Sequence, residues 1–242
     1  MMRSLLVLAL LATSGLASGQ VLISLLLGDK LNSDKLEFGL DGGANFTTLD
    51  GVSDANTAIG FHLGFYFDIK VKNAWYLHTG VIVKSPMGAK ELTPYTLGDV
   101  ALDSVFLGGG VQRKLQYFNV PVMMKYTFPN NLYAEGGVML GLLHTAKDEF
   151  SNEVDKPKDI TFTRDIVDDY NRLDAGLAAG IGYHRMKGYG MYFGVRGYYG
   201  LVDITKDDSG PGVYNRALYI AVGIPIGKGK AAAKAGEVPK EN

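Results

Sequence analysis

The 242-residue sequence predicts an all-β fold, an eight-stranded antiparallel up-and-down transmembrane β-barrel with short periplasmic turns and long extracellular loops. Three observations lead there. Apolar and polar residues alternate with period two through eight successive segments, as side chains do across a strand. The connections between segments alternate between short and long, as in bacterial outer-membrane barrels. Beyond the N-terminus no stretch approaches the roughly 20 apolar residues that a spanning helix needs.

Composition narrows the chemistry. Lys and Arg together number 24 against 25 for Asp and Glu, so the chain offers nucleic acid no strong field. The absence of Cys removes disulfides, thiolate chemistry and cysteine-ligated zinc. With 32 Gly and 14 Tyr, the chain suits a sheet with close backbone approaches and aromatic belts better than a helical bundle.

In chain order, residues 1–19 read as a signal peptide. Arg3 is the positive start, Leu5 to Leu11 the apolar stretch, and Ala17-Ser18-Gly19 the small-residue cleavage site. Residues 20–35, with apolar Val21 to Leu27, read as an ordered periplasmic N-terminal segment. The barrel is expected over 36–226 and a flexible periplasmic tail over 227–242, where Lys228, Lys230 and Lys234 flank an Ala run.

The first barrel segment places Leu36, Phe38, Leu40, Ala44 and Phe46 on one face, with Glu37, Asp41 and Asn45 on the other. The second opposes Ile59, Phe61, Leu63, Phe65, Phe67 and Ile69 to His62, Tyr66 and Asp68. The third sets Trp75, Leu77, Val81 and Val83 against Tyr76, His78 and Lys84. Phe118 to Phe128 and Leu132 to Leu142 follow, with Lys125 and Glu135 on their polar faces. Leu173 to Tyr183 opposes Arg172, Asp174 and His184, Met191 to Leu201 opposes Arg196, and Leu218 to Ile226 closes the series. No apolar face carries a charge. Short turns fall near 71–73, 129–131 and 186–188, and long loops near 47–56, 85–114, 147–170 and 205–215. Aromatics such as Phe67, Trp75, Tyr126, Phe128, Tyr133, Tyr183 and Tyr189 gather beside the short turns, the place of an interfacial girdle.

An eight-stranded ring is only wide enough to be filled by side chains. Glu37, Asp41, Glu135 and Asp174 are expected to face inward, with Lys84, Lys125, Arg172 and Arg196 as their counter-charges. A turn at Pro129 to Asn131 sets Lys125 opposite Glu135, which predicts an ion pair between them.

Enzyme readings find little support. There is no Gly-x-Ser-x-Gly elbow and no Ser at the expected inward positions, and lumenal His62, His78 and His184 suit hydrogen-bonded filling. The carboxylates between Asp148 and Asp169 lack calcium-loop spacing and are interspersed with Lys147, Lys156, Lys158 and Arg164, as on a solvated face. Gly108-Gly109-Gly110 and Gly180-Ile181-Gly182 do not join a strand to a helix, so neither is a nucleotide loop. No cofactor or metal is expected.

The run Tyr117-Phe118-Asn119-Val120-Pro121-Val122-Met123-Met124-Lys125-Tyr126-Thr127-Phe128 resembles the signature strand of the PorT-like outer-membrane β-barrel family of Bacteroidetes. Leu132-Tyr133-Ala134-Glu135-Gly136-Gly137, Asp174-Ala175-Gly176-Leu177 and Arg196-Gly197-Tyr198-Tyr199-Gly200-Leu201 are similar to its later strands. The chain departs from that pattern at its last strand, which ends on Pro225-Ile226 rather than on an aromatic residue. The resemblance implies an eight-stranded barrel without catalytic residues, and partners among outer-membrane lipids and the proteins of envelope or secretion complexes. The residue pattern leaves a second function open, a small-molecule or lipid site at the extracellular mouth. That reading needs an apolar, partly empty lumen near Ile82, Met139 and Leu143.

Overall fold

The computed structural model describes residues 33, 35–152, 160–185, 190–207 and 209–226. The expected signal peptide and C-terminal tail, nearly all of the expected N-terminal segment and the expected turn at 186–188 lie outside these residues. Among the described residues the strands are β1 (Leu36–Asp50), β2 (Asn56–Lys72), β3 (Trp75–Leu92), β4 (Gly110–Thr127), β5 (Leu132–Asn152), β6 (Ile160–Asp165), β7 (Leu173–His184), β8 (Tyr192–Gly200) and β9 (Tyr214–Pro225). One short helix, α1 (Val100–Phe106), joins β3 to β4. Its N-cap is Asp99, whose carboxylate accepts from the Ala101 and Leu102 amides at 2.8 and 3.2 Å.

Eight of the nine strands close a ring of antiparallel pairs in the order β1-β2-β3-β4-β5-β7-β8-β9, with β9 returning to β1. Closure leaves no unpaired backbone edge where water is absent, which a hydrocarbon layer requires. The ninth strand, β6, stands outside the ring and pairs only with the far end of β5. Asn73 and Asn131 take left-handed backbone at φ 51° and 66° in two of the short turns, a conformation Asn tolerates better than most residues.

Outward side chains between these turns and the outer rim are apolar and exposed, among them Phe61, Leu63, Val122, Leu140, Ile181, Val195 and Ile220. Near the short turns Trp75 packs on Tyr126 at 4.9 Å, and Tyr126 meets Phe128 edge-on at 4.9 Å. Of the girdle read from the sequence, Trp75, Tyr126, Phe128 and Tyr183 face outward there, Tyr133 is instead buried in the lumen, and Tyr189 lies outside the described residues.

β3, β4 and β5 continue well past the apolar band, so the expected loops at 85–114 and 147–170 are in part strand. Above the band the surroundings are water, and the apolar side chains turn inward. Two bulges achieve this. Val83 and Lys84 both face outward, where the β2–β3 and β3–β4 registers shift, and beyond them Met87 and Ala89 are buried. On β5 the shift falls at His144 and Thr145, after which Ala146, Asp148 and Phe150 point inward. The first bulge corrects one expectation: Lys84 is outside, over the Phe61 ring at 5.8 Å, because the extra residue reverses its face. Arg172 is exposed as well, just before β7 begins.

The interior is layered. Its extracellular half is an apolar core that includes Leu92, Phe106, Val111, Leu115, Leu143, Phe150 and Ile166. Ile82, Met139 and Leu143 are each about 1% exposed within it, so the lumen there is packed. The periplasmic half holds most of the buried charges and a cluster of Tyr66, Tyr133 and Tyr192. Glycine makes room for those rings, since a Cβ at Gly223 would fall 1.9 Å from Tyr192 and one at Gly39 would fall 2.4 Å from Tyr66.

Candidate functional site

Lys125 and Glu135 are directly opposed in the β4–β5 ladder, as the turn predicts. Their expected ion pair does not form. The Lys125 ammonium crosses the lumen to Asp68 on β2 at 2.7 Å, lying 4.3 Å from the Tyr133 ring centroid and 4.7 Å from that of Tyr192. Glu135 is held by Arg196 of β8, whose Nε donates at 2.8 Å. In so narrow a ring, a long side chain reaches strands across the bore as easily as its own neighbour. The guanidinium fork is also the better match for a carboxylate. Asp68 stood on the polar face of its segment without being read as a charge partner.

His78 ties the two pairs together. Its Nδ1 is 2.6 Å from Asp68 Oδ1 and its Nε2 is 2.9 Å from Arg196 Nη2. A guanidinium only donates, so Nε2 accepts, and Nδ1 carries the proton given to Asp68. His78 is therefore the neutral Nδ1–H tautomer. Arg196 also lies 3.7 Å from Asp41, which His62 approaches at 3.6 Å. Glu37 accepts from the Tyr66 hydroxyl at 2.9 Å, with His184 at 3.5 Å. Of the expected ion-pair residues, Asp41, Glu135, Lys125 and Arg196 thus join one buried layer, Glu37 sits at its periplasmic edge, and Asp174 lies apart. Asp174 accepts from Asn215 at 2.8 Å.

The longer β3 also places a serine inside, against the expectation that none faces inward. Ser85 Oγ accepts from Asn119 at 2.8 Å and shares a hydrogen bond with the Tyr219 hydroxyl at 3.1 Å. Neither partner is a general base, so the contacts fill the lumen rather than activate a nucleophile. Among the described residues no three His, Asp or Glu side chains gather as a metal site.

At the extracellular mouth Arg113 grips Asp148 through Nε at 2.8 Å and through Nη2. Burial opposes the Arg113 charge most, but hydrogen bonding to Asp148 together with the electrostatic pull of Tyr170, Asp148 and Tyr95 outweighs it and holds the guanidinium above its ordinary range. The Tyr95 hydroxyl donates to the same carboxylate at 2.9 Å, and burial with that neighbouring charge pushes the phenol up to about 12. Arg164 of β6 lies over the Tyr95 ring at 5.4 Å. Tyr95, Arg113 and Arg164, with Tyr170, Lys206 and Asp207, line an open cleft above the apolar core.

The family model for the outer membrane protein beta-barrel domain matches residues 29–206. Among solved structures the chain is similar to Ail, the attachment invasion locus protein of Yersinia pestis, in complex with the heparin analogue sucrose octasulfate. That match has 10% identity over 79% of this chain and 99% of that one, with a TM-score of 0.41. It is similar to Neisserial surface protein A at 14% identity over 77% and 96%, with a TM-score of 0.38. For the outer membrane protein OprG from Pseudomonas aeruginosa the values are 13%, 79%, 93% and 0.35. No curated protein matches the chain. With more than half its length matched and a closed, apolar-walled ring of strands, the chain belongs to the outer membrane protein beta-barrel domain family, and its place is the outer membrane.

Proposed function

We propose that this is a non-enzymatic barrel, a structural or interaction component of the envelope whose extracellular sheet contacts other proteins there. The observation that carries the reading is the length of one wall. β5 has 21 residues, while about 9–11 cross a membrane. The excess of about ten residues projects roughly 30 Å along the strand at about 3.4 Å each. The projection is rigid, since Val111, Leu115, Ala146 and Phe150 give it its own core. Such a mast is more than a connector requires. The filled lumen favours contact over transport. The PorT-like resemblance points to secretion machinery as the setting, with outer-membrane lipids around the barrel.

The test is in-cell photocrosslinking from exposed Thr163 on β6 and Val100 on α1, with lipid-facing Val122 as control. Discrete adducts with envelope or secretion proteins, absent from the Val122 control, are expected. An abundant, correctly folded barrel giving no adduct from either outer position would refute the reading. A second reading, a small-molecule site at the mouth, rests on the cleft at Tyr95, Arg164 and Tyr170. The packing of Ile82, Met139 and Leu143 confines it to that cleft and removes the lumen as a lipid chamber.

A further inference from the structure

Among the described residues, four of the five buried carboxylates have a basic group within ion-pair distance: Asp41 and Glu135 have Arg196, Asp68 has Lys125, and Asp148 has Arg113. Asp174 is 3% exposed and, among the described residues, has none. Arg216, the nearest guanidinium to act on it, is turned outward onto the Tyr199 ring at 3.6 Å and bonded to Asp50 at 2.6 Å. The Asn215 amide, the Tyr198 hydroxyl and the Ala175 backbone N–H are the hydrogen-bonding groups around Asp174, and none of them carries a charge. One carboxylate oxygen, Oδ2, accepts from Asn215; the other, Oδ1, has no partner, and neither does Asn215 Oδ1 or the Tyr117 hydroxyl, although all three are buried. The three residues come from β7, β9 and β4 and converge over glycines: a Cβ at Gly141 would lie 3.0 Å from the Tyr117 ring and 3.4 Å from Asp174 Cβ, and one at Gly200 would lie 3.5 Å from Asp174 Oδ1.

We propose that Asp174 Oδ1, Asn215 Oδ1 and the Tyr117 hydroxyl oxygen bind a monovalent alkali cation inside the barrel. A buried carboxylate without a counter-charge is costly, and buried oxygens without donors add to that cost. A single positive ion removes both at once. One carboxylate and two neutral oxygens balance a charge of one, whereas calcium sites use six to eight oxygens and commonly several carboxylates. A water molecule would satisfy the oxygens and leave the charge.

The apolar core above the site implies that the ion enters during folding, so the test is refolding from urea into detergent micelles. Equal concentrations of sodium chloride and choline chloride are compared, reading the folded band by its heat-modifiable gel mobility. Sodium is expected to raise the midpoint in a saturable way. Tyr117→Phe should need about tenfold more sodium, corresponding to the loss of about 1.4 kcal/mol of binding. Asp174→Asn should respond equally to both salts. Equal midpoints in the unaltered protein, or the same sodium response in Asp174→Asn, would overturn the proposal. Crystals of the unaltered protein grown with thallium(I) give a reading independent of variant folding. An anomalous peak between the three oxygens supports the site, and density there without anomalous signal identifies water and overturns it.

Discussion

Replacing Lys125 by Met removes the ammonium from between Asp68 and two tyrosines and leaves the Asp68 carboxylate buried with only neutral His78 beside it. Two unit charges about 3.5 Å apart interact by roughly 5 kcal/mol at an effective dielectric near 20. Stripping one partner from a buried pair typically costs about 3–5 kcal/mol. Lys125→Met and Asp68→Asn are each expected to fall in that range. The double variant should recover a large part, giving a coupling energy of about 2–4 kcal/mol. The Arg196–Glu135 cycle should behave alike. Lys125 and Glu135 face each other across the ladder but make no ion pair, so their coupling should stay within about 1 kcal/mol. Urea unfolding in lipid vesicles measures all three, read by the single tryptophan, Trp75, which packs on Tyr126 at the lipid face. A Lys125–Glu135 coupling equal to or above the Lys125–Asp68 value would refute the assignment of partners across the bore.

Three further outcomes follow. Leu63→Arg and Val122→Arg place a charge on side chains 40% and 39% exposed to lipid, and each should destabilise the barrel by about 2–4 kcal/mol in vesicle unfolding. An unchanged midpoint would show that these faces do not meet lipid. Gly223→Ala drives a methyl into the Tyr192 ring and should cost about 1–3 kcal/mol, with much of the loss recovered in a Tyr192→Leu background. A penalty indifferent to residue 192 would locate the clash elsewhere. The half-buried Asp103 carboxylate accepts from Thr96 at 2.6 Å and from the Leu97 amide at 2.7 Å, which holds it below its ordinary 3.8. A folded value below the unfolded one means that its support for the 93–109 connection is present above pH 3.8 and lost as pH falls through the lower folded value. Amide exchange there should therefore be steady from pH 6 to about 4, once corrected for intrinsic rates, and accelerate below; an Asp103→Asn variant without that step confirms the group.

The ring itself was legible because its signals are local. Alternation within a segment fixes which face is apolar, and the short turn at 129–131 fixes the register of its neighbours, which is why Lys125 and Glu135 do face each other. The charge partners were not legible. Lys125 with Asp68, and Arg196 with Glu135, join strands that are not neighbours, and that choice depends on side-chain reach in a closed ring. The bulges left almost no trace. Val81, Val83, Met87 and Ala89 continue one parity, so nothing in the alternation shows that they lie outside below Lys84 and inside above it; the run Lys84-Ser85-Pro86 was the only break. β6 was hidden within a loop read as solvated, although Ile160-Thr161-Phe162-Thr163 alternates. Asn45 was read as a lumen position like any other, yet it is fully buried, with its amide on the Pro86 carbonyl at 2.5 Å. An arginine there has no space, and the lumen is as intolerant of added bulk as a soluble core.

A strand that leaves lipid for water has, in effect, a reading frame, and the bulge at Val83 and Lys84 is a frameshift of one residue. Deleting Pro86, just above the bulge, exchanges inside for outside along the rest of β3, so Met87 and Ala89 would face water while Gly88 and Lys90 turn toward the core. Removing two residues at the same point keeps the frame and only shortens the mast. The projecting wall should therefore tolerate changes of length in steps of two and fail at steps of one. A family of such proteins can then grow or trim its extracellular reach while the membrane wall stays fixed.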